Sequence, residues 1–178
     1  MHEGWRLEVA EHRMAERDAE ALALIRQAME EGDMSARVML ARMGEDAGLS
    51  RTEVHQILTD VEATMDPHDV ETHLQLTRAY DARIGDLPYD EKARRCFQHH
   101  LRAVESGAGP IHTLALARIL VMGALEVQPN EQEAIRWYKH AIQQGSVGAA
   151  HELQRLYRYI EKRDRGGADL TDLDSKRK

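Results

Sequence analysis

Four leucines, Leu40, Leu76, Leu116 and Leu153, stand 36, 40 and 37 residues apart, and their surroundings repeat with them. Four residues before each comes Ala36, Thr72, His112 or Ala149; four after comes Gly44, Tyr80, Leu120 or Tyr157. A second series runs through Ala21, Val54, Ala93 and Ala134, followed at three and four residues by Leu24–Ile25, Ile57–Leu58, Cys96–Phe97 and Trp137–Tyr138. Gly32, Gly107 and Gly145 separate the two series. A period in the high thirties is too long for one helix or strand and too short for a domain. It is the length of one helix pair, a unit that buries its apolar face only by stacking on its neighbours.

The segment from Asn130 to Tyr157 carries the pattern most plainly. Ala134, Trp137, Tyr138, Ala141 and Ile142 fall on one face of a helix, and the two alanines let a neighbour come close. Asn130 is a good N-cap, and Glu131 and Glu133 put negative charge in the first turn. Gly145 ends the helix, and Ala149, Leu153 and Tyr157 recur every four residues on the next. Upstream, Trp5 to about Glu16 reads as a capping helix whose Trp5 covers the end of the stack. Asp18 is the expected N-cap of the helix through Glu31, and Met34 to Glu45 follows. Ser50-Arg51-Thr52-Glu53 is a capping box for a helix to about Thr64. Asp66-Pro67 starts another that ends near Arg83. The helix from Tyr89 to Ser106 is longer than its siblings, so its last turn is expected to project beyond the stack. The final helix spans Val147 to about Arg163. Beyond Gly166-Gly167 the sequence ADLTDLDSKRK has no periodicity, so residues 164–178 are expected to be a flexible tail behind a repeat domain of residues 1–163.

The run from Leu116 to Leu153 resembles a Sel1-like repeat, a relative of the tetratricopeptide repeat. Leu116, Gly123, Val127, Asn130, Ala134, Trp137, Tyr138, Ala141, Gly145 and Ala149 fill the positions of that family's pattern. The loop is one residue longer than usual, Ala117 and Leu125 stand for two glycines, and Glu133 stands for a lysine. The copy from Leu76 through Gly107 matches with Tyr80, Gly85 and Asp90-Glu91-Lys92-Ala93. The two N-terminal copies match in pattern alone. The resemblance implies an all-α fold, a right-handed α-solenoid of antiparallel helix pairs (about four hairpins plus an N-terminal capping helix), used to bind proteins.

Composition agrees with a helical class. The chain has 178 residues with 4% aromatics and a single cysteine, which excludes an internal disulfide and a cysteine-based zinc cluster. No apolar run approaches the roughly 18 residues of a membrane span. No basic-then-apolar leader opens the chain, so a cytoplasmic location is expected. The net charge of −7 is uneven: residues 1–66 hold 15 acidic and 7 basic side chains, the remainder 16 and 17. The basic excess that accompanies nucleic-acid binding is absent.

In tetratricopeptide-like stacks the first helix of each pair lines the concave face. The resemblance therefore points outward from the Ala134 helix with Arg136, His140 and Gln143. From the Ala93 helix it points outward with Arg95, His99 and Arg102. This stripe suits an acidic segment of a partner protein, through Arg–carboxylate pairs. Cys96, His99 and His100 lie on one helical side, but Cys96 occupies the Trp137 slot and belongs to the core, so no metal is expected. No phosphate loop, nucleophile elbow or Ser/His/Asp order occurs, and no cofactor is expected. The sequence thus points to a non-enzymatic scaffold or adaptor that binds another protein. The rival is a bacterial immunity protein that neutralises a toxin, and an enzyme is the remote third.

Overall fold

The computed structural model describes residues 4–175, with side chains described as far as Arg165. Nine α-helices follow one another, with no strand among the described residues: α1 Trp5–Met14, α2 Asp18–Glu30, α3 Met34–Met43, α4 Arg51–Thr64, α5 Val70–Asp81, α6 Tyr89–Glu105, α7 Pro110–Met122, α8 Glu131–Gln143 and α9 Val147–Ser175. A short 3₁₀ turn, Gly44–Ala47, follows α3. The all-α class and the repeated helix-pair organisation are therefore those the sequence pattern requires.

The repeat is written into the backbone at the helix ends. After α2, α6 and α8 the chain turns on Gly32, Gly107 and Gly145, with φ of 89°, 103° and 93°. Each turn closes with the same two bonds. The glycine N–H donates three residues back, to Met29, Val104 or Ile142. The next N–H donates five back, to Ala28, Ala103 or Ala141. This pairing satisfies carbonyls that a helix C-terminus leaves orphaned, and a left-handed residue is needed to make it. After α5 the same turn is made by Arg83, φ 60°, with Arg83 and Ile84 donating to Tyr80 and Ala79.

Contacts divide the chain into two units: Met1–Ala108 with Leu125–Val127, and Gly109–Ala124 with Gln128–Lys178. In the first unit, Trp5 and Val9 of α1 pack with Ala21, Ile25 and Ala28 of α2 and with Ala36 and Leu40 of α3. Trp5 is 3% exposed, so it does cover that core as a capping residue should. Arg6 lies over its ring and donates to Asp33 and Ser35 at the start of α3. Asp33 in turn caps α3 by accepting from the Ser35 and Ala36 N–H groups. A second cluster joins Val38 and Ala41 of α3, Val54, Leu58 and Val61 of α4, Leu76, Ala79 and Tyr80 of α5, and Cys96 of α6. Leu125 packs against it at φ 56°, the left-handed conformation of the glycine it replaces in the family pattern. Gly85, φ 90°, runs so close that an added Cβ would lie 3.3 Å from Leu58 Cδ1. In the second unit Leu116, Ala117 and Leu120 of α7 are buried, as are Ala134, Tyr138 and Ala141 of α8 and Ala149, Leu153 and Leu156 of α9.

Several expectations shift. The helices that pack most extensively are α5 with α6 and α7 with α8, so the closest pairs are offset by one helix from those read off the glycine turns. Small residues explain α7 with α8, since Ala117, Ala134 and Ala141 let the two backbones approach. Asp66-Pro67 does not open α5. The Asp66 carboxylate accepts from the His68 N–H at 2.8 Å, making a turn, and Asp69 caps the helix from Val70. Asp18 lies inside α2, where Arg17 is the N-cap residue. The last turn of α6 does not project, because Ala103 and Val104 are buried. On α9 the buried row passes through Leu156, leaving Tyr157 exposed. Steps of four drift about 40° each on a 3.6-residue helix, so a third member rotates out. α9 also continues past Arg163 to Ser175. Gly166 and Gly167 cost a helix about 1 kcal/mol each without forbidding it. Side chains of the expected tail from 166 on, and residues 176–178 altogether, lie outside the described residues.

Candidate functional site

Three helices of the first unit meet at Glu62 of α4. Its Oε1 accepts from the Tyr80 hydroxyl at 2.7 Å and lies 2.9 Å from His99 Nε2. Its Oε2 accepts from Arg95, which also holds Glu91 at 2.9 Å. His99 Nδ1 faces His73 Nδ1 at 3.0 Å, and His73 Nε2 lies 3.0 Å from the Pro67 carbonyl oxygen. A carbonyl only accepts, so His73 donates from Nε2 and its Nδ1 accepts from His99. Tyr80 stacks on His99 at 5.9 Å between centroids.

The electrostatics follow from this geometry. Burial pushes Glu62 up, but the hydrogen bonds from His99 and Tyr80 and the Arg95 charge outweigh it and hold the carboxyl below its usual range. Burial lowers His73, against the Pro67 hydrogen bond. Burial, then the bond to Glu62, raises Tyr80. The side chains of Glu62 and His99 are largely covered, and these groups satisfy one another. The cluster ties α4, α5 and α6 together.

The six residues of the expected binding stripe therefore differ in their surroundings. On α6, Arg95 and His99 are turned onto Glu62, while the Arg102 side chain is 67% exposed beside Glu105. On α8, Arg136 is 78% exposed and meets Glu133 at 2.9 Å, and Gln143 is exposed. His140 is partly buried, edge-on to Trp137 at 5.9 Å, with Nε2 3.3 Å from the Gln144 amide nitrogen. Cys96 sits in the core, where burial and then the Asp81 charge push its thiol up to about 12. Among the described residues no group of His, Cys, Asp and Glu converges on a metal position, and no helix is long and apolar enough to cross a membrane.

The second unit holds an open cleft of about 710 Å³, bordered by α7, α8 and α9. Its apolar lining comes from Val121 and Met122 of α7, Pro129 before α8, and Leu156 and Tyr159 of α9. Met122 is 67% exposed and Tyr159 60%. Its polar lining converges on Glu152, which accepts from Tyr138 at 3.1 Å and from both Nε and Nη2 of Arg118. Those bonds, Arg118's first, hold Glu152 below the ordinary carboxylate range. Burial and then the Glu152 charge push Tyr138 up to about 12. Arg163 reaches back from α9 to Glu131, another lining residue, at 2.6 Å. An apolar wall beside fixed, satisfied polar groups is suited to receiving an apolar side chain from outside. The sequence carried one signal for this cleft, the Val121-Met122 pair ending α7 just ahead of the glycine turn, but pattern reading treats such a pair as core.

No protein-family model matches the chain, and no curated protein matches it. Among solved structures the chain is similar to a Sel1 repeat protein from Oxalobacter formigenes. The two are 26% identical over 78% of this chain and 98% of that chain, with a TM-score of 0.49. That is the family whose pattern the residues from Leu116 to Ala149 resemble.

Proposed function

We propose that this chain is a non-enzymatic, cytoplasmic scaffold of helix pairs that binds a protein partner. The observation that carries the reading is the second unit's cleft, with Met122 and Tyr159 presenting large apolar surface to solvent beside it. Methionine and tyrosine make adaptable, entropically cheap contacts, and exposed apolar patches of this kind are typical of docking surfaces. The cleft is open, with Met122 and Tyr159 of its lining exposed to solvent, which fits a polypeptide better than an enclosed small molecule. Helices hold these side chains in place, so little further entropy is lost on docking.

The stripe of Arg95, His99 and Arg102 on α6, with Arg136, His140 and Gln143 on α8, is a second proposed contact. Arg102 and Arg136 are its ready members. Among the described residues each is held by an exposed pair within its own helix, worth about 0.3–0.5 kcal/mol, and exchanges it cheaply for a partner's carboxylate. Toxin neutralisation is a narrower form of the same reading, separated by whether expression rescues cells making the toxin.

Tagged protein used to capture partners from its native organism tests the reading. Met122→Asp places a charge on the apolar wall at an exposed position and leaves the helical circular dichroism unchanged. The expected result is a partner held by wild type and lost by Met122→Asp. Equal capture by both chains refutes the cleft as the docking site.

A further inference from the structure

The scaffold reading leaves the chemistry of the partner open, and α9 narrows it. Arg155, Arg158 and Lys162 recur at i, i+3 and i+7, which is one face of the helix. All three are exposed, and none makes a hydrogen bond or ion pair among the described residues. Nearby acids are already engaged: Glu152 by Arg118, Glu161 by Arg165 at 3.7 Å, and Asp164 by Arg163 at 3.2 Å. The face is thus positive, and Glu152, the carboxylate that feels the Arg155 charge, already has its oxygens on Arg118 and Tyr138. It is also continuous with the cleft, because Arg155 and its neighbours Leu156 and Tyr159 all line it. On α6 and α8, by contrast, Arg95, Arg102 and Arg136 each have a carboxylate.

We propose that the cleft and this face of α9 together bind an acidic polypeptide segment, which inserts one apolar side chain beside Leu156 and Tyr159 and sets carboxylates on Arg155, Arg158 and Lys162. The inference rests on the scaffold reading and adds the partner's chemistry to it. Seven residues of helix rise about 10 Å, so Arg155 and Lys162 match carboxylates about three residues apart in an extended chain or two turns apart in a helix. Charge complementarity favours an acidic partner, and the apolar cleft sets a protein apart from a nucleic acid. A phosphate backbone gains nothing from Val121, Met122 and Leu156, and a net charge of −7 opposes a long polyanion.

Fluorescence anisotropy with labelled ten-residue peptides tests this. The probe carries one central Leu-Phe pair flanked by Asp and Glu; the controls replace the pair with Ser-Ser, or the acids with Lys. A 20-nucleotide single strand and vesicles containing phosphatidylglycerol serve as the other anions. The expected result is binding of the acidic apolar probe, weakened tenfold or more by Arg155→Glu with Arg158→Glu, by the Ser-Ser change, and by raising salt from 50 to 300 mM. The variant keeps its circular dichroism, since both arginines are exposed and unpaired among the described residues. The proposal is overturned if the acidic probe fails to bind at millimolar protein or the lysine probe binds as well. It is also overturned if the oligonucleotide or vesicles bind more tightly, or if the double variant binds like wild type. Partner capture separates the two levels. A partner held equally by wild type and the double variant keeps the scaffold and removes α9 from its surface. No partner for either chain removes the scaffold reading itself.

Discussion

Trp5 and Trp137 are the chain's two tryptophans, and they do different work. Trp5 is buried against α2 and α3, whereas Trp137 is partly exposed and meets His140 edge-on. The repeat pattern places Trp137 on the stacking face, but the closest approach there is made by the alanines and by Tyr138. Trp5→Ala should therefore cost about 3–5 kcal/mol, and Trp137→Ala about half of that, by urea unfolding. Equal losses would show that Trp137 is core after all. The Glu62 cluster has its own signature in pH. Glu62 titrates in the folded protein below its ordinary value, so its contribution is full above about pH 4.3 and is lost as pH falls through the lowered value. His73 is also lowered, so its contribution is full above about pH 6.5 and is lost on acidification from there. Both act in one direction. Stability should begin to fall below about pH 6.5, and His73→Gln should flatten the curve on the acid side of that value. A wild-type stability that rises on acidification across this range contradicts the assignment.

At the scale of the helix, the turns were legible because glycine, serine and acidic caps have short-range signatures. The Ser50–Glu53 capping box forms as read, with Ser50 N–H donating to Glu53 at 2.8 Å and Glu53 N–H to the Ser50 hydroxyl. Gly32, Gly107 and Gly145 all adopt the left-handed conformation their spacing implies. Arg83 makes the same turn without being glycine, so inspection for glycines passes over it. Gly107→Ala should cost about 1 kcal/mol, while Arg83→Gly should leave stability unchanged or raise it by less than that, measured by thermal melting. An equal loss at both positions would mean that the turns are not equivalent. Helix ends set by tertiary packing were less legible. Nothing local tells that α6 buries Ala103 and Val104, or that Asp69 rather than Asp66 caps α5.

Across the whole chain, the repeat of leucines and alanines was enough for the fold class, because stacking helices need small and large residues at fixed spacing. The functional surface was not readable in the same way. Periodicity tells which residues point away from a helix's packed face, but not which of them meet a neighbour's carboxylate. Glu62 has no repeat-equivalent acid in a pattern slot, yet it decides that Arg95 and His99 are held within the first unit. Arg155, Arg158 and Lys162 had visible spacing. What distinguishes them is that their acidic neighbours are already engaged, and only coordinates reveal that. The most direct measurement of the account is hydrogen–deuterium exchange on the chain with and without the partner it captures. The account predicts its strongest protection at the end of α7 and along the stretch of α9 that borders the cleft, around residues 118–122 and 152–163. No change near the cleft would contradict it.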